Sequence, residues 1–145
     1  MADLDSKLQN IFDALDEKIE TYYENGDGLG IISTELEKWN LLPNPKEKWD
    51  ESYHIVSSII EEYLKLKKLD KAFEWANIIQ ECDPERNDDG QKKFILGKVL
   101  FEQKKFLDSY DLFKFGFIDT EGRCFESEDP KYLDFYKNPE KYIKS

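Results

Sequence analysis

The segment "YLKLKKLDKAFEWANIIQECDP", residues 63–84, is followed, thirty-seven residues after its start, by "LFEQKKFLDSYDLFKFGF", residues 100–117. At this offset the matched pairs are Ile59 with Leu96, Tyr63 with Leu100, Leu69 with Phe106 and Ala72 with Ser109. Such a fixed period is typical of stacked helical hairpins, because one hairpin alone leaves an apolar face exposed to water. The two segments therefore predict two copies of a helical hairpin in the middle of the chain.

The small residues of this pattern decide how closely the helices approach. Ala72 and Ser109 lie where we expect the second helix of each hairpin to cross the first. A large side chain at either position would push the helices apart. We expect Ala72→Leu to cost about 1 to 3 kcal/mol through overpacking.

The flanking segments also follow the helical period. Apolar residues between Leu4 and Tyr23 recur in steps of three and four, which predicts a first helix that ends at residues 25–28. A second helix should end at Pro43, and residues 44–47 (NPKE) have the composition of a new helix start. Asp129-Pro130 and Asn138-Pro139 predict two short closing helices. Because no segment alternates with period two, we predict an all-α protein.

We predict a single helical-repeat domain over residues 1–145, built as a solenoid of stacked antiparallel hairpins. Its parts are an N-terminal helical pair (1–43), repeat 1 (44–84), repeat 2 (85–117) and a C-terminal cap (118–145).

The two central units resemble the tetratricopeptide repeat, whose pattern is W-x-x-L-G-x-x-Y, then A-x-x-x-F, then P. The matching residues are Ile59, Tyr63, Ala72 and Pro84 in one unit, and Leu96, Gly97, Leu100, Ser109 and Phe113 in the next. Ile60 stands where glycine is usual, and Lys93 stands where tryptophan is usual. The resemblance implies a tetratricopeptide-like solenoid with a long N-terminal helix and short C-terminal capping helices.

The whole chain is also similar to small bacterial tetratricopeptide-like proteins encoded beside polymorphic or contact-dependent toxins. Three blocks carry this likeness: "LLPNPKEKWDES" (41–52), "LGKVLFEQKKF" (96–106) and "FESEDPKYLDFYK" (125–137). The resemblance implies an immunity protein that covers the active or substrate surface of one cognate toxin. The alternative is a general adaptor or chaperone that holds peptides in its concave groove.

Charge restricts the class of partner. The net charge is −11, and residues 1–43 contain ten acidic and three basic side chains. An acidic field repels nucleic acid and anionic membranes, and it accelerates encounter with a basic partner such as a nuclease toxin. Solubility alone is the other explanation of this charge. No apolar run approaches the roughly 18 residues of a membrane span, and the first ten residues are acidic, unlike a secretory signal, so we expect a cytoplasmic protein.

The sequence offers no convincing reactive centre. His54, Ser58 and Glu61 share a helix face, but triad members normally come from different elements around an oxyanion site. The glycines of residues 25–30 lack the preceding strand and the spacing of a nucleotide loop. Cys82 and Cys124 are far apart and do not form a metal motif. We therefore predict no enzymatic activity, no cofactor and no metal site.

Partner-binding positions follow from the resemblance, because the first helix of each tetratricopeptide hairpin lines the concave groove. The positions carried over are His54, Ser57, Glu61, Leu64 and Lys65 from one helix, and Gln91, Phe94, Lys98, Phe101 and Glu102 from the next. Phe94 and Phe101 are the candidate anchors, since aromatic residues ringed by polar groups are common interface hot spots. The alternative is that the terminal helices bury both in the core. Either this groove or the acidic N-terminal half would make the main contact.

Overall fold

The fold is built from helices joined by short turns, with no strand in residues 4–85 and 89–143, the residues that the computed structural model describes. These residues form α1 (Ser6–Glu24), α2 (Gly28–Leu41), α3 (Asp50–Lys65), α4 (Leu69–Ile79), α5 (Asp89–Glu102), α6 (Phe106–Thr120) and α7 (Pro130–Lys137). Short 3-10 helices occur at Lys46–Lys48, Arg123–Phe125 and Pro139–Lys141. The predicted all-α class is confirmed.

The helices pack in sequence order as adjacent pairs. Contacts divide the chain into two compact units, one up to residue 86 and the other from residue 87 onward. In the first unit, α1 packs on α2, α2 on α3, and α3 on α4. In the second unit, α5 packs on α6, and residues 123–143 of the predicted C-terminal cap pack against this pair. From here on, the name C-terminal cap means residues 123–143.

The three hairpins α1–α2, α3–α4 and α5–α6 share one turn geometry. Each first helix is followed by a left-handed residue, which is Gly26 (φ 67°), Lys67 (φ 60°) or Lys104 (φ 65°). Its amide donates to the carbonyl three residues earlier, and the next amide donates to the carbonyl five residues before it, over 2.8 to 3.1 Å. This Schellman arrangement satisfies carbonyls that the helix end leaves free. The α1–α2 pair thus has the same turn as the α3–α4 and α5–α6 pairs, whereas a solenoid of stacked repeats stays a prediction.

Both small residues of the repeat pattern are fully buried, as expected. Ala72 in α4 and Ser109 in α6 each have 0% of their surface exposed. In the second unit a glycine adds to the close approach, since a Cβ on Gly97 would lie 2.7 Å from a ring atom of Phe113. The α5–α6 contact therefore has no room for even one more carbon at this point.

Two predicted helix starts differ from the structure. Residues 44–47 do not begin α3, because Lys46–Lys48 forms a 3-10 turn and Trp49 remains extended (φ −81°, ψ 143°) before α3. The indole of Trp49 donates to the carbonyl of Pro43 at 2.8 Å, which holds this bend. At the other end, Pro139–Lys141 is only a 3-10 turn. The start of α7 is as predicted, with the Asp129 carboxylate accepting from the Lys131 amide at 3.0 Å.

The two units have cores of different composition. The first unit buries mainly aliphatic side chains, with Trp39 and Trp75 meeting edge to face at 5.5 Å beside them. All three tryptophans of the chain belong to this unit. The second unit has a mainly aromatic core, whose buried members are Phe94, Phe101, Phe113, Cys124, Phe125, Tyr132 and Phe135. Edge-to-face and offset ring contacts therefore hold the C-terminal cap in place.

Candidate functional site

The two candidate aromatic anchors are core residues, the alternative that the sequence left open. Phe94 is 0% exposed, and its ring lies 5.1 Å from Phe113 and 4.8 Å from Phe125. Phe101 is 8% exposed and packs against Tyr132 and Phe135 at 5.3 and 5.2 Å. An interface anchor needs accessible surface, so neither ring can serve a partner while the cap is in place.

Two of the polar α5 candidates, Lys98 and Glu102, are also engaged inside the second unit. Lys98 is 2% exposed, and its Nζ lies 3.1 Å from a carboxylate oxygen of Glu128. The Glu102 carboxylate accepts from the Tyr132 hydroxyl at 2.8 Å and pairs with Lys131 at 2.8 Å. Gln91 is half-buried. The physical reason is the aromatic cap itself, which must bury its rings and uses this face of α5 to do so.

The α3 candidates keep more surface. His54 and Lys65 are exposed, Ser57 and Glu61 are half-buried, and Leu64 is 8% exposed. The Lys65 ammonium lies 3.3 Å from Glu62 and 5.7 Å above the ring of Tyr23. Leu64 is thus a packing residue, and a binding role for the other four stays a prediction.

His54 and Ser58 of α3 each have a neighbour of their own. The His54 ring meets Tyr53 edge to face at 5.5 Å. The Ser58 hydroxyl lies near the Glu35 carboxylate of α2 and counteracts part of the rise in the pKa of that carboxyl. Within residues 4–85 and 89–143, no group of three or more His, Cys, Asp and Glu side chains is arranged to hold a metal ion.

Four of the acidic side chains in residues 1–43 form a charged surface on α1. Asp13, Glu17, Glu20 and Glu24 are all exposed and follow steps of four, three and four residues. At 3.6 residues per turn, these steps keep the four carboxylates within about 60° of the helix circumference. We call this line of carboxylates the acidic ridge. No ion pair joins Glu17, Glu20 or Glu24 to a basic side chain in the described part of the chain.

Behind the ridge, charged groups link α1 to α2. Lys38 has 9% of its surface exposed, and its Nζ lies 2.6 Å from Asp16 of α1 and 3.3 Å from Glu35. The same ammonium lies 5.3 Å from the centre of the Phe12 ring. Burial raises the pKa of Glu35, and Lys38 counteracts part of that rise. Lys38 therefore serves the packing of α1 on α2, while the ridge carboxylates face water.

Two open depressions occupy equivalent places in the α3–α4 and α5–α6 hairpins. One, of about 490 Å³, is lined by residues 67–71 at the start of α4. The other, of about 540 Å³, is lined by residues 104–108 at the start of α6, together with Tyr142 and Ile143. Both helices begin after a lysine that makes no side-chain capping bond. Nothing else in either depression indicates a ligand.

In the residues described, none of the helices is both long enough and apolar enough to cross a bilayer. Comparison of the chain with protein-family models, curated proteins and solved structures finds no match.

Proposed function

We propose that the chain is an immunity protein, which binds one cognate basic toxin through the acidic ridge of α1 and covers the toxin's active or substrate surface. The single observation that carries the proposal is the alignment of Asp13, Glu17, Glu20 and Glu24 on one exposed face. The proposal assigns no catalytic role to the chain, and the expected place of action is the cytoplasm.

The ridge is costly for the fold, which supports a role in binding. Like charges three or four residues apart destabilise a helix by a few tenths of a kcal/mol per pair. The ridge contains three such steps, and α1 has its basic residues, Lys7 and Lys18, on a different face. A surface that only needed solubility would gain more from interspersed charges of both signs. A single-sign line instead steers a basic partner into one orientation.

A basic nuclease is the toxin class that this surface fits best. Nucleases bind phosphate groups through lysine and arginine side chains, and carboxylates can take the place of those phosphates. The link to toxins comes from the resemblance stated for residues 41–52, 96–106 and 125–137.

The test is charge reversal on the ridge with a matched control. The ridge variant carries Glu17→Lys, Glu20→Lys and Glu24→Lys. The control carries Glu74→Lys, Glu81→Lys and Glu126→Lys, three exposed acids outside α1 that give the same net charge. Each protein is co-expressed with the toxin encoded beside its gene, and growth is measured. We expect the wild type and the control to protect the cell, and the ridge variant to lose protection.

Association kinetics separate the electrostatic part of the proposal from binding itself. The association rate of wild type with the purified toxin should fall as NaCl rises from about 50 to about 500 mM, because salt shortens the Debye length. An association rate that is independent of salt would exclude electrostatic steering, but it would not contradict the proposal that the chain inhibits the toxin. Equal protection by the ridge variant and the control would overturn the role of the ridge.

The alternative function is an adaptor that binds peptides in a groove. His54, Ser57, Glu61 and Lys65 of α3 keep surface that supports it. On α5 the corresponding surface is covered by the C-terminal cap, so this alternative has less support. Many weak peptide ligands, in place of one tight protein partner, would favour it.

A further inference from the structure

Independently of the proposed function, α6 presents an apolar face that the described rest of the second unit leaves exposed. Leu107 is 70% exposed, Ile118 is 66% exposed and Phe115 is 46% exposed. Asp111 and Lys114 are exposed between them. We call these five residues the α6 stripe. The opposite face of α6 is used for packing, with Ser109, Phe113 and Gly116 buried.

The α6 stripe repeats its own chemistry about its midpoint. Positions 107, 111, 114 and 118 follow steps of four, three and four residues, so they lie along one line of the helix. The order along the line is apolar, acidic, basic, apolar. When a second copy of this line runs in the opposite direction, each apolar position faces an apolar one and each acidic position faces a basic one.

This order fits a second copy of the same helix laid antiparallel. A twofold axis perpendicular to α6, between Leu112 and Phe113, sets Leu107 opposite Ile118 of the other copy. The same axis sets Asp111 opposite Lys114, and this pair occurs twice. The Phe115 rings of the two copies lie on the same side of the contact, next to the axis. Isologous contacts of this kind are the commonest way in which identical chains associate.

We propose that the protein forms a twofold-symmetric dimer in which the α6 stripes of two copies pack antiparallel. A different partner would require no such internal symmetry, whereas self-association requires it. The contact is small, because stable interfaces use roughly 20–30 residues on each side and the α6 stripe has five. The net charge of −11 on each copy also opposes association at low salt. The dimer is therefore weak and forms at high protein concentration and moderate ionic strength.

Sedimentation equilibrium of the full chain tests the dimer. The protein is measured from about 10 µM to about 1 mM, in about 0.3 M NaCl so that long-range repulsion is screened. The average mass should rise from 17.2 kDa towards twice that value as concentration increases. A mass of 17.2 kDa throughout this range would overturn the proposal.

Exchange of the charges at Asp111 and Lys114 tests whether the α6 stripe is the contact surface of the dimer. Asp111→Lys and Lys114→Asp each set like charges opposite one another twice per dimer, and each should weaken association about tenfold. The double variant D111K/K114D restores opposite charges and should regain the wild-type association. Because the two single changes shift net charge in opposite directions, an effect of net charge alone could not weaken both.

Matched controls lie outside α6. Glu126→Lys and Lys137→Asp make the same two charge changes at exposed positions and should leave association unchanged. All four positions are exposed, so substitution there leaves the fold intact. Single exchanges that dimerise as well as wild type, or a double exchange that remains as weak as the singles, would show that the α6 stripe is not the contact.

Discussion

The hydroxyl of Ser109 on α6 donates a hydrogen bond of 2.8 Å to the backbone carbonyl of Gly97 on α5. Ser109 is fully buried, and the Phe113 ring lies against Gly97 from the same side. The methyl group of an alanine at position 97 would therefore clash with the Phe113 ring, which is fully buried and has no free space to move into. This contact sets the distance between the two helices of the second hairpin.

Gly97→Ala should lower the free energy of unfolding by about 1 to 3 kcal/mol through overpacking against Phe113. Alanine is normally the better helix former by about 1 kcal/mol, so the expected sign is opposite to that of intrinsic propensity. Urea denaturation followed by circular dichroism measures the change. As a comparison, Ser109→Ala removes only one hydrogen bond and should cost about 0.5 to 1.5 kcal/mol. A Gly97→Ala protein more stable than wild type would contradict the packing described.

The shared hairpin turn predicts opposite effects of exchanging glycine and lysine. Lys67 and Lys104 hold a left-handed φ that costs a non-glycine residue about 1 kcal/mol, so Lys104→Gly should stabilise the protein by about 0.5 to 1 kcal/mol. Gly26→Lys should destabilise it by a similar amount. A Cβ on Gly26 would meet nothing within 4 Å, so only the backbone angle is at issue. Thermal unfolding of both variants checks the signs, and two changes of the same sign would refute this account.

Glu35 predicts a pH dependence of stability. Burial raises its pKa, so the folded protein holds the proton to higher pH than the unfolded chain does. Its favourable contribution is present at low pH and is lost as pH rises through the pKa of the folded state. Glu35→Gln leaves the Lys38–Asp16 pair in place and removes this titration. The stability of Glu35→Gln relative to wild type should therefore increase from about pH 4 to about pH 7.

Unfolding in urea at several pH values measures this difference, in which the titration of the other carboxyl groups cancels. A difference that stays constant, or that decreases with rising pH, would show that Glu35 does not titrate as its burial implies.

The hydroxyl of Tyr132 predicts how firmly the C-terminal cap is attached. It donates to the Glu102 carboxylate at 2.8 Å, and bonds to charged groups contribute about 1.5 to 3 kcal/mol. Tyr132→Phe should destabilise the protein within that range while keeping the ring. Tyr136→Phe is the matched control, since the half-buried Tyr136 packs by its ring and its hydroxyl has no hydrogen bond to another described residue. Equal stability of the two variants, measured by chemical denaturation, would contradict the role of Tyr132.

The helices could be predicted because the sequence signals that define them are local. The 3.6-residue period, the Asp129 cap and the small residues Ala72 and Ser109 each act within one or two helices. The sequence does not show that the α1–α2 turn has the geometry of the other hairpin turns, because Gly26 and Lys67 adopt the same left-handed angle with unrelated side chains. The prediction of a helix start at residues 44–47 is wrong because the Trp49 indole donates a hydrogen bond to a backbone carbonyl there. This bond is not part of any capping pattern.

The candidate site was harder to predict, since it depends on which surfaces other segments cover. The partner-binding positions on α5 rest on the resemblance to the tetratricopeptide repeat. Only the structure shows that aromatic residues of the C-terminal cap pack on two of them, Phe94 and Phe101. These cap residues are Phe125, Tyr132 and Phe135. The aromatic content of residues 125–142 was the available signal that this segment needed a place to be buried. The acidic ridge and the α6 stripe could have been found from residue spacing alone, because both use steps of three and four.

The separation of tryptophan from the other aromatic residues makes the two units spectroscopically distinct. Trp39, Trp49 and Trp75 all precede residue 86, so indole emission reports the melting of the first unit, whereas far-ultraviolet dichroism follows helices in both. Coincident transitions from the two signals would mean that the chain melts as one cooperative body, and separated transitions would mean that its halves melt in turn. Native residues therefore suffice as reporters, with no label or added fluorophore.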